Sequence, residues 1–275
     1  MLWLLLPSAT LYVVTFVIPL AIVIVFSFAS YRAGVTTLGL SLDNYRAIFH
    51  DGVTFGIFAH TIRLAIVITA ACLVVGYPVA IAMRRARPRG RLVLLVLIVS
   101  PLLTSVIVRN VAWLLILGRT GLLNRALLDL GLISAPLRLM YNDLGVVVAV
   151  VHVYLSFMIL PIFASLSAIE PSIEESAMSL GATAWRTFLQ VTLPLSLPGI
   201  IAGSTIVFIL AMGIYLTPVI MGGNFVVTVP MVITDLVHNQ FNWANASALA
   251  VVLLFVIGAA ASALNALGRR GRVPS

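Results

Sequence analysis

Residues 170–185 read EPSIEESAMSLGATAW and hold every glutamate of the chain: Glu170, Glu174 and Glu175. Acid–base or metal chemistry would need these carboxylates to converge with histidine or a second set of ligands. The stretch contains no histidine and no basic cluster. What it does specify is a short helix. Ser172 is placed as an N-cap, with Glu175 three residues on to return the bond as a capping box. Pro171 precedes that cap and cannot continue an earlier helix. Glu174 and Glu175 fall in the first turn, where the helix dipole favours negative charge. Gly181 suits a C′ position with φ > 0. Thr183 offers a second cap, and AWRTFLQV reads as another short helix, stopped by Pro194 and Pro198. Ile173, Ala177 and Leu180 share one face by i, i+4, i+7 spacing, and the acidic pair is offset from it. A small apolar knob with a negative edge fits a groove on another protein. The other reading is an amphipathic helix lying on lipid, but anionic inner-leaflet lipid attracts arginine and lysine rather than paired glutamate.

The elements that position this island follow from composition. The 275 residues are 62% hydrophobic and 9% charged, against about 25% charged in soluble domains. Apolar runs near the ~20 residues needed to cross a bilayer, without the short alternating segments of a closed barrel, give an all-α polytopic membrane protein. Six spans are expected: 2–28, 63–83, 92–117 (interrupted by Arg109 and Asn110), 144–169, 199–221 and 244–267, making one transmembrane domain over 1–275. The apolar start, MLWLLLPSAT, lacks a basic n-region and reads as the first span rather than a signal peptide. RRARPRGR places five arginines between Arg84 and Arg91, and Arg269, Arg270 and Arg272 close the chain. With six spans these clusters share one side, and the positive-inside rule puts that side, both termini and the 170–198 loop in the cytoplasm. Arg32, Arg46, Arg119, Arg125 and Arg138, on the opposite side, are dispersed among Asp43, Asp51 and Asp129.

The net charge of +8 does not mark a nucleic-acid partner, because the arginines cluster at the ends of apolar runs. All sixteen basic residues are arginine. Without lysine the chain has no P-loop and is not itself a P-loop ATPase. Its one cysteine, Cys72, builds neither a disulfide framework nor a zinc site, and no metal or other cofactor is expected.

EESAMSLGATAWRTFLQVTLP resembles the EAA loop of the membrane subunits of bacterial ABC importers. Glu175-Ser176-Ala177 takes the place of E-A-A, Gly181 that of the glycine, Val191 that of the isoleucine, and Leu193-Pro194 the ending. Ser176 and Val191 are the two departures. LSLDNYRAIF, CLVVGYPVAIAMRRA, VRNVAWLLILGRTGLLN, LPIFASLSAIEPSIEESAMSLGA and FNWANASALAVVLLF are similar to segments of the spermidine/putrescine-type permease subfamily, so the resemblance covers nearly the whole chain. It implies the type I ABC importer permease fold with six transmembrane helices, in the inner membrane. It also implies two ABC ATPase subunits, a second permease that is either identical or a paralogue, and an extracytoplasmic solute-binding protein. The loop residues Glu174, Glu175, Ala177, Leu180, Gly181, Ala182 and Trp185 would then couple to the ATPase. Closure of the ATPases on ATP would draw two such loops together and turn an inward-facing cavity outward. The implied solute is a polyamine or another small cation, iron or a phosphonate.

Four residues are expected along the pathway: Asn110, Tyr215, Thr217 and Asp235. Arg109 beside Asn110 must snorkel, pair or face water, because a charge at the bilayer centre costs at least ~2.5 kcal/mol; it is a poor contact for a polycation. Tyr215 and Thr217 adjoin Pro218, and transporters line cavities with such helix breaks; a tolerated kink with a packed tyrosine is the plainer reading. Asp235 ends a charge-free stretch from Thr187 to Thr234 and is either a contact for a cationic solute or a solvated loop acid. His152 reads as a packed histidine rather than a proton relay, and Trp3, Trp113 and Trp243 as interfacial anchors. The glycine turns GVTTLGLS and MGGNF are too weak for phosphate sites. The importer subunit is a transport component, not an enzyme. A secondary transporter and an integral membrane enzyme are the alternatives, but they need an internal repeat, buried acids or a convergent catalytic set, and none is seen.

Overall fold

The computed structural model describes residues 6–32 and 35–270; Leu2, Trp3 and Arg272, read above as a span start, an anchor and part of a basic tail, lie outside the described residues. Helices dominate, because in hydrocarbon each backbone N–H and C=O must be satisfied within its own segment. Six stretches among the described residues are long and apolar enough to cross a membrane: Thr10–Ser27, Gly52–Arg85, Val106–Asp129, Asp143–Ser167, Ala184–Met212 and Trp243–Ala266.

The chain groups into two compact units. The first takes the chain up to Thr61 together with Val227–Gly258. It contains α1 (Leu6–Tyr12), a π-helical turn (Val13–Val17), α2 (Ile18–Ser27), the antiparallel pair β1 (Ser30–Arg32) and β2 (Val35–Thr37), and α3 (Asp43–His50). The end of α2 is fastened by Asn44, whose Nδ2 donates to the carbonyls of Ser27 (3.1 Å) and Ala29 (2.7 Å). Asp51 accepts from the N–H groups of Val53 and Thr54 and from the Thr54 hydroxyl, satisfying orphan donors at the start of α4 (Gly52–Arg85). Those bonds, the Thr54 hydroxyl first, hold its carboxyl below the usual range.

The second unit takes Ile62–Val226 and the chain from Ala259. After α4 come α5 (Pro88–Val99), a 3₁₀ turn (Ser100–Leu103), α6 (Val106–Leu117), α7 (Leu122–Asp129), α8 (Asp143–Ser167), α9 (Pro171–Ser179), α10 (Ala184–Thr187) and α11 (Leu193–Met212). Its core is the α8–α11 pair. Gly199 and Gly203, four apart, let the backbones touch: a Cβ on Gly199 would lie 2.5 Å from the Pro161 carbonyl oxygen. Small residues at i and i+4 are the usual device where lipid offers no hydrophobic drive for association. Met158, Ile162 and Leu166 of α8 are fully buried, as are Val207 and Met212 of α11. The chain ends with α12 (Val229–His238) and α13 (Trp243–Arg270).

Two sequence expectations change here. The apolar run 92–117 is not one helix. Pro101 lacks the N–H that would continue α5, and the chain passes through the 3₁₀ turn to an extended Thr104. Pro194 and Pro198 do not stop the helix that begins at Ala184. Phe188–Thr192 widens into a π turn in which Leu193 N–H bonds to Phe188 O. Widening immediately before Pro194 accommodates its ring and missing donor, so α10 and α11 run on as one span-length helix, Ala184–Met212.

Candidate functional site

The loop between α8 and α11 is built on α9, which buries none of its residues. Its N-cap is Glu170 with Pro171 at the first helical position, where a missing N–H costs nothing. The expected Ser172–Glu175 capping box therefore does not form, and the Ser172 hydroxyl donates to Glu170 Oε2 at 3.2 Å. At the other end Gly181 has φ +88°. Its N–H reaches Met178 O (3.0 Å) and that of Ala182 reaches Ala177 O (3.1 Å), which is the Schellman pattern. Thr183 then caps α10 by accepting from Arg186 N at 3.3 Å. The turn leaves Leu180 90% and Trp185 68% exposed, beside exposed Ile173 and Met178. Trp185 stacks on Phe188, ring centroids 5.6 Å apart. Ala177 and Ala182 are half-buried and Gly181 is exposed.

The structure separates the acidic pair. Glu175 is exposed. Glu174 turns inward: its Oε1 accepts from Arg84 Nη1 (2.8 Å) and from the Thr192 hydroxyl (2.7 Å). Arg84 also donates through Nη2 to Ile169 O at 3.1 Å. Burial pushes the Glu174 carboxyl up, but the Arg84 and Thr192 hydrogen bonds and the charges of Arg84 and Arg85 outweigh it and hold the group below its ordinary range. Two turns back along α4, Tyr77 OH meets Ser196 Oγ of α11 at 2.9 Å. Arg91 lies over the Phe163 ring, 5.5 Å from its centroid. Of the arginine run, Arg85, Arg87, Arg89 and Arg91 are exposed; Arg84 ties elements together, and Arg91 reaches back to the carbonyls of Met83 and Arg84.

A second feature of the same unit is a cleft of about 470 Å³ bordered by two backbone breaks: Thr104 after the 3₁₀ turn, and Gly213–Tyr215 after α11. Irregular backbone at membrane depth is tolerated where it lines a wet cavity or is buried in protein. Arg109 serves the first break, donating to Pro101 O (2.9 Å) and Thr104 O (3.3 Å). Tyr154 donates to Leu210 O at 3.2 Å near the second. Tyr215 and Thr217 line the cleft. Asn110 lies behind it, its buried amide 3.3 Å from Thr217 Oγ1. The cleft brings three of the four expected pathway residues together. Asp235 belongs to the other unit: it is exposed on α12 and accepts from Asn239 (2.7 Å) and Gln240 (2.8 Å). His152 is exposed and edge-on to Trp113 at 5.6 Å, not packed away.

Residues 73–270 match the family described as binding-protein-dependent transport system inner membrane component. The chain belongs to that family. Among curated proteins, this permease is 34% identical over 218 residues to the spermidine/putrescine transport system permease protein PotB of Escherichia coli (strain K12), covering 79% of each chain. It is 33% identical over 214 residues to the protein of the same name from Haemophilus influenzae, covering 78% of this chain and 74% of the relative. Its fold matches a chain in a crystal structure of a bacterial alginate ABC transporter in complex with alginate pentasaccharide-bound periplasmic protein, with TM-score 0.77 over 97% of this chain and 93% of that one, at 17% identity. The permease is thus a multi-pass inner-membrane subunit of an ABC importer, a transport component that works with an ATPase and a solute-binding protein. Sequence reasoning missed Arg84, Thr192, Tyr154 and the Gly199–Gly203 seam. The i, i+4 glycines were a readable signal; the Arg84 contact, between residues ninety apart, had none.

Proposed function

We propose that the permease forms half of a translocation path for a polyamine such as spermidine or putrescine, and that the α9–α10 loop is its docking peg for the ATPase. The observation that carries the docking role is the nine-residue α9 with no buried residue, ended by a left-handed glycine that leaves Leu180 90% exposed. An exposed leucine beside Trp185 on a polar loop fits an apolar groove in a partner. Glu175 supplies the acidic edge, with Ala177, Gly181 and Ala182 allowing close approach. Glu174 acts from behind the peg. On this reading the loop, the arginine run and both termini are cytoplasmic, and the whole chain acts as one permease domain. It pairs with a second permease, identical or paralogous, two ATPases and an external binding protein. Arg109, Tyr215 and Thr217 form this chain's wall of the path, with Asn110 supporting Thr217 from behind it, and Asp235 is a further contact for a cation.

The test is co-purification of the ATPase with tagged permease. Leu180→Asp and Glu175→Lys are each expected to lose the ATPase while the permease stays folded. Retention of the ATPase by both would remove the docking role. A second reading of the solute comes from Arg109, the one charged residue lining the cleft among the described residues, which favours a neutral or anionic solute over a polycation. Uptake of radiolabelled spermidine by reconstituted vesicles decides between them.

A further inference from the structure

We propose that Arg84 is a positioning residue that makes the α9 peg move as one body with α4 and α11, so that the pull of an ATPase on the loop reaches the membrane helices. The proposal rests on the docking role given to α9 above.

A helix transmits force to its neighbours through packed side chains or through polar contacts. α9 buries no residue, so packing supplies little. The polar contacts converge on one guanidinium. Arg84 is the penultimate residue of α4. Its Nη1 holds Glu174 on α9 at 2.8 Å, and its Nη2 holds Ile169 O, just beyond α8, at 3.1 Å. Glu174 carries the link onward, accepting from Thr192 Oγ1 at 2.7 Å in the π turn that leads into α11. One carboxylate and one guanidinium therefore join the peg to the end of α4, to the residue just beyond α8 and to the π turn inside Ala184–Met212. Both side chains are mostly buried, Arg84 19% and Glu174 24% exposed, so the pair is shielded in a way that an exposed ion pair is not. Arginine suits the position because its planar fork serves two acceptors at once, whereas a lysine is a single point of charge. A step away, the Tyr77–Ser196 bond at 2.9 Å ties α4 directly to α11, so displacement of the Arg84 end is shared between those two helices.

The peg can then bind its partner without this link, but without it a pull on α9 reaches α11 only through the Gly181 turn and α10, and no other side-chain hydrogen bond among the described residues passes it to α4. Association and transmission become separable. The test uses the permease assembled with its ATPase and second permease in liposomes. A fluorophore is placed on Leu102→Cys at the cleft, in a Cys72→Ala background. Three quantities are read: ATPase retained on purification, ATP hydrolysed, and the fluorescence change on adding ATP, which needs no knowledge of the solute. Arg84→Gln is expected to keep the ATPase and its hydrolysis but to lower the fluorescence response per ATP about tenfold, within the usual span of coupling free energies. Arg84→Lys, which keeps the charge opposite Glu174, restores at least half of it. Thr192→Val, which removes only the hydroxyl contact, lowers the response less than Arg84→Gln does and leaves folding unaffected. The clamp is overturned if Arg84→Gln responds like the parent, if Arg84→Lys is no better than Arg84→Gln, or if Arg84→Gln sheds the ATPase, which would make Arg84 part of the docking surface. A parent complex that never holds an ATPase would instead remove the proposed function, and the clamp with it.

Discussion

A carboxylate carried into a half-buried site gains protons unless something there prefers it charged. At Glu174 burial raises the group, but the hydrogen bonds from Arg84 and Thr192 and the charges of Arg84 and Arg85 win, and the carboxyl sits below its ordinary value of 4.5. The sign follows from linkage: the folded state binds the proton less tightly than the unfolded one. The stabilisation is therefore complete above pH 4.5 and is withdrawn as the pH falls through the lowered folded value. Thermal unfolding of the purified permease should show the parent above Glu174→Gln at about pH 7, with the gap closing as the pH falls below 4.5. A gap that stays constant across that range would mean that the ion pair contributes nothing to folding. Residue type alone did not separate Glu174 from Glu175. The sequence put both in the first turn of α9, but the helix starts at Pro171 and only Glu174 lies there; the position of Arg84, ninety residues earlier, decides which of them is free for a partner.

At the scale of elements the decisive contact is α8 against α11. The Gly199 Cα lies where a side chain would strike backbone: a Cβ there would be 2.5 Å from Pro161 O and 2.9 Å from Ile162 Cα. Backbone cannot step aside as a rotamer can, so Gly199→Leu should cost at least the 1–3 kcal/mol typical of overpacking, about that or more. A lowered unfolding temperature, with the smaller Gly199→Ala falling between, checks it; an unchanged Gly199→Leu would mean that the two helices do not meet there. Apolar run length and turn chemistry made the all-α class, α9 and its glycine stop readable, because those depend on neighbours in sequence. The breaks at 100–105 and 213–215 were not readable from hydropathy, which counts apolar atoms and is blind to backbone hydrogen bonds. Pro101 ends a helix, yet Pro78, Pro161 and Pro198 sit inside helices. What separates them is supplied from afar: at the first break Arg109 reaches back to the freed carbonyls of Pro101 and Thr104.

For the molecule as a whole, burial is uneven in a way that fits a subunit rather than a self-sufficient pore. The apolar windows of Asp143–Ser167 and Ala184–Met212 are each 44% buried within the chain, against 6% for Thr10–Ser27 and 11% for Val106–Asp129. The sparsely buried helices present their apolar sides outward, to lipid or to a neighbouring subunit. Orientation across the bilayer belongs to this scale as well, because the charges that set it are summed over loops. On the proposed orientation, the five arginines between Arg84 and Arg91 outweigh the scattered ones on the other side and would hold their loop in the cytoplasm. The loop of α9 must share that side, since α4 and α9 meet at the Arg84–Glu174 pair. The chain has one cysteine, and it is buried, so a Cys72→Ala background is blank to a membrane-impermeant maleimide. Ser134→Cys, between α7 and α8, should then label in right-side-out vesicles and Ser179→Cys, at the end of α9, only in inverted ones. If Ser179→Cys reacts from outside intact cells, the peg faces away from any ATPase and the proposed coupling route has no partner to pull it.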